Sequence, residues 1–159
     1  MASRSFRVGR SRTGLGLFAV RAIAKKEHIV AYSGKWITTE EARRRERLGN
    51  PRYLFEVNSR WTIDGATRRN LGRYANHSCK PNAEPMLRKG KMLLVATKPI
   101  SPGDEITFDY GEDYFDYYFK KAGCRCMACA MKPARRTART TKTKTKTRTK
   151  TKRKRPAAA

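Results

Sequence analysis

The chain has 159 residues, with 38 Lys and Arg against 13 Asp and Glu and a formal net charge of +25. That length suits one domain with an appendage, and a positive excess this large exceeds what solubility needs, pointing to a polyanionic neighbour such as nucleic acid. No apolar run approaches the ~20 residues that cross a bilayer, and the first residues, with Arg4, Arg7, Arg10 and Arg12, lack the apolar stretch of a secretory signal, so an intracellular protein with no membrane partner is expected.

Taken in chain order, short apolar runs at 17–20, 28–32, 53–57, 61–63, 92–96 and 105–108 are each bounded by Gly, Pro, Asn or Ser and predict a mostly β core. Thr38-Thr39-Glu40-Glu41 has the capping-box form and predicts a helix through residue 48, stopped at Gly49-Asn50-Pro51, with its arginines toward solvent. Short helices are expected around 70–74 and over 113–119, the second aromatic on nearly every side. The four cysteines are Cys79 alone and the cluster Cys124, Cys126 and Cys129, a usage that in a reducing compartment suggests metal before disulfide, with free thiols as the alternative. Residues 132–159 carry 13 Lys and Arg and no acid, which leaves +12 on residues 1–131. With Thr-Lys alternation and no large apolar side chain, this segment cannot offset the entropy of ordering and is expected to be a disordered tail. Its charge suits non-specific, salt-sensitive binding to nucleic acid.

Three stretches carry chemistry. Gly14-Leu15-Gly16 offers a turn whose backbone can approach a ligand closely for want of Cβ atoms, although it lacks the full dinucleotide fingerprint. Arg73-Tyr74-Ala75-Asn76-His77-Ser78-Cys79-Lys80-Pro81-Asn82 gathers amide, imidazole, hydroxyl and thiol before a turn, and Glu105-Ile106-Thr107-Phe108-Asp109-Tyr110-Gly111 follows. Read singly, Asn76 is a turn former, His77 a satisfied buried histidine, Tyr110 a strand-end packing residue and Gly14-Leu15-Gly16 a tight hairpin turn.

Together, and with Tyr32-Ser33-Gly34 and Ile63-Asp64-Gly65 between them, these stretches resemble the SET-domain family of protein lysine methyltransferases over roughly residues 5–130. The resemblance implies a mainly β fold with short helices, in which small curved sheets (a β-clip) are closed by a C-terminal pseudoknot. It divides the chain into a SET domain at 5–113, a post-SET-like cysteine segment at 114–131 and the tail at 132–159. It implies S-adenosyl-L-methionine as cofactor, contacted by Gly14, Leu15, Gly16, Tyr32, Arg73, Asn76, His77, Tyr110 and Phe115. Tyr110, Tyr53 and Phe108 become the catalytic set, with a phenyl ring at 108 implying methylation beyond the first methyl. Cys79, Cys124, Cys126 and Cys129 become the ligands of a structural zinc, despite a gap of two residues between the last pair where the family usually has four. The implied substrate is the lysine amine of a basic, histone or histone-like protein, which Asp109, Glu112, Asp113 and Asp116 suit by charge. The alternatives are an inactive SET-like module that binds DNA or chromatin, and a methyltransferase of a non-histone protein. Oligomeric state stays open, as does the compartment, bacterial cytoplasm and nucleoid or nucleus and chromosome.

Overall fold

The computed structural model describes residues 4–49, 52–112, 114 and 123–131. Its elements are strands β1 (Phe6–Ser11), β2 (Gly14–Ala19), β3 (His28–Tyr32), β4 (Lys35–Thr38), β5 (Leu54–Glu56), β6 (Trp61–Asp64), β7 (Asn76–His77), β8 (Ala83–Arg88), β9 (Lys91–Ala96) and β10 (Glu105–Phe108). Helices α1 (Thr39–Arg47) and α2 (Met127–Ala130) and a 3-10 turn at Leu71–Tyr74 complete the described residues. No helix among them is long and apolar enough to cross a membrane.

The strands form three small sheets, ordered β1-β2-β10-β7, β3-β9-β8 and β4-β6-β5. Every predicted apolar run coincides with or overlaps a strand, the runs at 17–20 and 53–57 extending a residue past β2 and past each end of β5. The expected mostly β architecture of small sheets is therefore what the chain adopts. β1, β4, β7 and β8 lie outside those runs. β1 and β8 are poor in buried side chains and rich in Arg, Glu and Pro, so no apolar alternation marks them. They are strands because hairpin partners hold them in register, from Phe6↔Ala19 to Ser11↔Gly14 and from Ala83↔Ala96 to Arg88↔Lys91.

The first sheet is built around β10. Its Ile106 pairs with Leu17 of β2, and both side chains are 0% exposed. On its other edge β7 runs parallel, with Thr107↔Asn76 and Phe108↔His77. The loop after β7 is bound to the same strand: Thr107 N–H donates to Asn82 Oδ1 at 2.8 Å, and Asn82 Nδ2 donates to the Glu105 carbonyl at 2.9 Å. Residues about thirty positions apart are thus locked together at the edge where β7 and β10 end. Leu17, Ile23, Leu94, Ile100 and Ile106 form the main core, and Tyr32, Ile63 and Met92 form a smaller one, with Phe55 packed against both.

α1 begins where its capping sequence predicts, the Thr38 hydroxyl accepting the Glu41 N–H at 3.2 Å. Hydrogen bonds from Arg44 and Arg45 hold the Glu41 carboxyl down to about 2. Arg43, Arg44 and Arg47 face solvent, as the sequence predicts. Arg45 does not: it also reaches Asp64 on β6 at 2.8 Å and ties the helix to its sheet. The predicted helix at 113–119 and the tail at 132–159 lie outside the described residues, apart from Tyr114.

Candidate active site

β3, β5 and the end of β10 deliver aromatic side chains, and the 3-10 turn delivers Arg73, to one cleft of about 890 Å³. The rings form a continuous wall. Tyr32 meets Phe55 at 5.1 Å, Phe55 meets Phe108 at 6.2 Å, Phe108 meets Tyr110 at 4.8 Å, and Tyr110 meets Tyr114 edge-on at 4.9 Å. Tyr53, Arg73 and Ala75 line the same cleft.

Two hydroxyl protons in this wall are already committed. Tyr110 donates to the Ala75 carbonyl at 2.8 Å, and Tyr32 donates to the Tyr53 carbonyl at 2.9 Å. Each phenol oxygen therefore keeps its lone pairs for an incoming donor. Burial pushes both phenols well above their usual range, Tyr110 further than Tyr32, with neighbouring tyrosines adding to it. Neither is a phenolate near neutral pH, so these two hydroxyls orient and accept rather than abstracting protons.

Tyr53 sits at φ +69°, in the left-handed region that a bulky side chain rarely adopts. Its carbonyl accepts from both Tyr32 Oη and Gly65 N, each at 2.9 Å, and its ring is covered by the Arg73 guanidinium at 3.7 Å. Such over-determination is what a strained residue needs to persist. Nothing in the local sequence signals it beyond the Asn50-Pro51 turn just before.

On the far side of the β7–β10 edge, Asn76 Nδ2 donates to the Leu15 carbonyl at 3.0 Å and to Glu105 Oε1 at 2.7 Å. Gly16 faces this pair: a Cβ there would stand 2.5 Å from Glu105 Oε1 and 3.1 Å from Asn76 Nδ2. Gly14, at φ +126°, opens the strand beside them. The predicted residues thus fall into two groups, Gly14, Leu15, Gly16 and Asn76 on one side, and Tyr32, Tyr53, Arg73, Phe108 and Tyr110 around the cleft. Ala75, 1% exposed, joins them through the chain. Phe115 lies outside the described residues.

His77 belongs to a third cluster. Burial lowers its pKa, against an opposing pull from Asp109, so the ring is neutral. Its Nδ1 accepts the Tyr110 N–H at 3.3 Å, which puts the proton on Nε2, 3.4 Å from Cys79 Sγ. Cys79 Sγ lies 3.8 Å from Cys124 Sγ and 3.5 Å from Cys129 Sγ, while Cys126 Sγ accepts the Cys79 N–H at 3.5 Å. Sulfurs bound tetrahedrally at about 2.3 Å from zinc stand roughly 3.8 Å apart, so the thiol spacings fit such a site. Ligand atoms of His77, Cys79, Cys124 and Cys126 also lie within 4.8 Å of one another. A metal held here could take Cys79, Cys124 and Cys126 with either the His77 imidazole or the Cys129 thiol as its fourth ligand. Burial works to raise Cys126, yet backbone and thiol hydrogen bonds bring it down to about 6, toward the thiolate a metal requires.

Comparison with known proteins agrees with this arrangement. The SET domain family matches residues 14–111. The chain is 35% identical over 130 residues to human Histone-lysine N-methyltransferase 2D and 38% identical over 128 residues to Histone-lysine N-methyltransferase Set2 of Drosophila melanogaster. These alignments cover 76% and 72% of this chain but only 2% and 6% of those proteins. Among solved structures, ctPRC2 in an autoinhibited conformation bound to S-adenosylmethionine superposes with a TM-score of 0.61 at 32% identity, covering 69% of this chain and 15% of that one. The strand runs, the paired 76–82 and 105–110 segments and these matches together place the chain in the SET-domain family.

Proposed function

We propose that the chain is an S-adenosylmethionine-dependent protein-lysine N-methyltransferase acting on a basic, histone-like protein. The observation that carries this reading is the aromatic cleft in which the Tyr110 and Tyr32 hydroxyls donate to backbone carbonyls and keep oxygen lone pairs for an incoming donor. Relatives named as histone-lysine methyltransferases and a neighbour bound to S-adenosylmethionine support the same class.

A lysine amine, with an ordinary pKa of about 10.4, must be neutral before it can attack. Desolvation among rings disfavours the ammonium, and Tyr110 Oη can accept an amine N–H and aim the nitrogen lone pair. When bound, S-adenosylmethionine supplies an electrophilic methyl, and transfer exchanges its C–S bond for an N–C bond, leaving the electron pair on sulfur. Gly14, Leu15, Gly16, Asn76 and His77 are assigned to that group, with Tyr32, Arg73, Tyr110 and Phe115 bordering it. The Leu15 carbonyl and Glu105 carboxylate suit its α-ammonium, and the rings suit a sulfonium. Tyr53 and Phe108 wall the lysine stem.

A zinc ion held by Cys79, Cys124, Cys126 and Cys129 is the second component of the proposal. Four thiolates leave no open position, so its task is to fix the cysteine segment against the end of β10. By the same reading residues 5–113 are the SET domain, 114–131 the cysteine segment and 132–159 a tail that holds nucleic acid non-specifically. Such a protein would work at a nucleoid or on chromatin. Incubation with S-adenosylmethionine and either core histones or a bacterial histone-like protein, followed by peptide mass mapping, tests the substrate assignment. Methyl groups on lysine side chains of one of these are expected; modification confined to other residue types would contradict it.

A further inference from the structure

Arg73 is the cation stacked among the rings of the cleft, and a place beside the cofactor does not by itself use its charge. Its guanidinium lies 3.7 Å from the Tyr53 ring centroid and 5.5 Å from that of Tyr74. One terminal nitrogen donates to the Ala66 carbonyl. Its Nε is buried and has no hydrogen-bond partner among the described residues. An unpaired guanidinium nitrogen inside a protein is costly, and no carboxylate forms an ion pair with it there: the ion pairs of the described residues are those of Arg21, Arg44, Arg45 and His77. The charge of Arg73 opposes the upward push of burial on Tyr32, one of the rings of the cleft. Asp109, Glu112, Glu46 and Glu56 are the acids that line the same cavity, while Arg43 and Arg47 face it from α1.

We propose that Arg73 is a positioning and electrostatic residue for the reaction, a fixed positive charge in the channel wall that disfavours the ammonium form of an entering lysine while its plane holds Tyr53 in place. The inference rests on the methyltransferase reading and adds to it the source of part of the amine's deprotonation. Two like charges sharing a desolvated cleft shift the titratable one toward its neutral form. The stack on Tyr53 explains why arginine rather than lysine stands here, because only a planar cation can cover a ring over its whole face. Packing alone would be met by an uncharged side chain of similar length, and the two roles separate in a pH profile.

The test compares kcat against pH for the wild-type chain, Arg73→Lys, Arg73→Gln and Arg73→Met, with a basic protein acceptor at saturating S-adenosylmethionine. Both neutral variants are expected to move the acidic limb of the profile up by about one pH unit. Arg73→Lys should keep that limb within about 0.3 units of wild type while losing rate, because it keeps the charge but not the plane. Two neutral variants guard against one of them failing to fold, which a thermal melt would reveal. An acidic limb left in place in an active, folded neutral variant would overturn the inference and leave the methyltransferase reading standing; so would an equal shift in Arg73→Lys. A wild-type chain that transfers no methyl to any basic protein would overturn both together.

Discussion

Gly16 and Tyr53 show how single residues set the two sides of the site. Gly16 leaves room for Asn76 and Glu105 to approach the backbone, and Glu105 cannot swing away without breaking its 2.7 Å bond to Asn76. Gly16→Ala is therefore expected to weaken S-adenosylmethionine binding at least about tenfold, equivalent to ~1.4 kcal/mol, by titration calorimetry. An unchanged affinity would place the cofactor elsewhere. At Phe108 the phenyl ring packs 4.8 Å from Tyr110 and brings no hydroxyl to the cleft. Phe108→Tyr is expected to shift products toward monomethyl-lysine, read by mass spectrometry, whereas an unaltered product ratio would remove Phe108 from the control of methylation state. That Asn76, His77 and Tyr110 belong together is legible in the sequence because the segments that the structure pairs are contiguous words of three to ten residues. Tyr53 and Arg73 are named by the resemblance, and Arg73 opens one of those words, but their geometry is not announced: a positive φ and a stacked guanidinium are produced by contacts between segments twenty residues apart.

At the scale of elements, the clearest runs became strands because apolar side chains at β2, β3, β9 and β10 have one dry face to fill. β1 and β8 were hidden for the opposite reason, as edge strands whose polar sequences follow their partners' register. Asn70 is another residue the sequence reading passed over. It is 0% exposed, its Oδ1 accepts the Ser33 N–H at 3.0 Å, and its Nδ2 donates to the Gly65 carbonyl at 3.1 Å, joining the β3–β4 and β6–3-10 loops. Asn70→Leu strands both backbone groups and is expected to cost about 3 kcal/mol in urea unfolding; a loss under about 1 kcal/mol would mean that water replaces the amide. The buried tyrosines add a pH dependence. Tyr32 and Tyr110 have folded-state pKa values raised above the unfolded value near 10, so their contribution is full below that pH and is lost as pH rises above it. Each steepens the alkaline fall of stability by up to about 1.4 kcal/mol per pH unit, and Tyr32→Phe should remove one such increment. A slope unchanged in that variant would mean that Tyr32 ionises freely in the folded chain.

For the whole molecule, the family and its sheets follow from residues 14–111, where the motifs stand in order. The third cluster is less legible. Its cysteines are obvious as a set, but the gap between Cys126 and Cys129 is short, and only the turn of α2 brings Cys129 Sγ to 3.5 Å from Cys79. If zinc closes this cluster, a strong chelator should lower the melting temperature by several degrees and restoring zinc should recover it; a melt indifferent to both would leave the thiols free. The central claim is that a neutral tyrosine-lined cleft presents a lysine amine to a methyl donor, and transfer of labelled methyl from S-adenosylmethionine to a basic protein tests it most directly. Wild-type protein is predicted to label lysine, and Tyr110→Phe at saturating S-adenosylmethionine to transfer at least about 100-fold more slowly. Labelling undiminished in Tyr110→Phe, or absent from the wild type, would contradict the account.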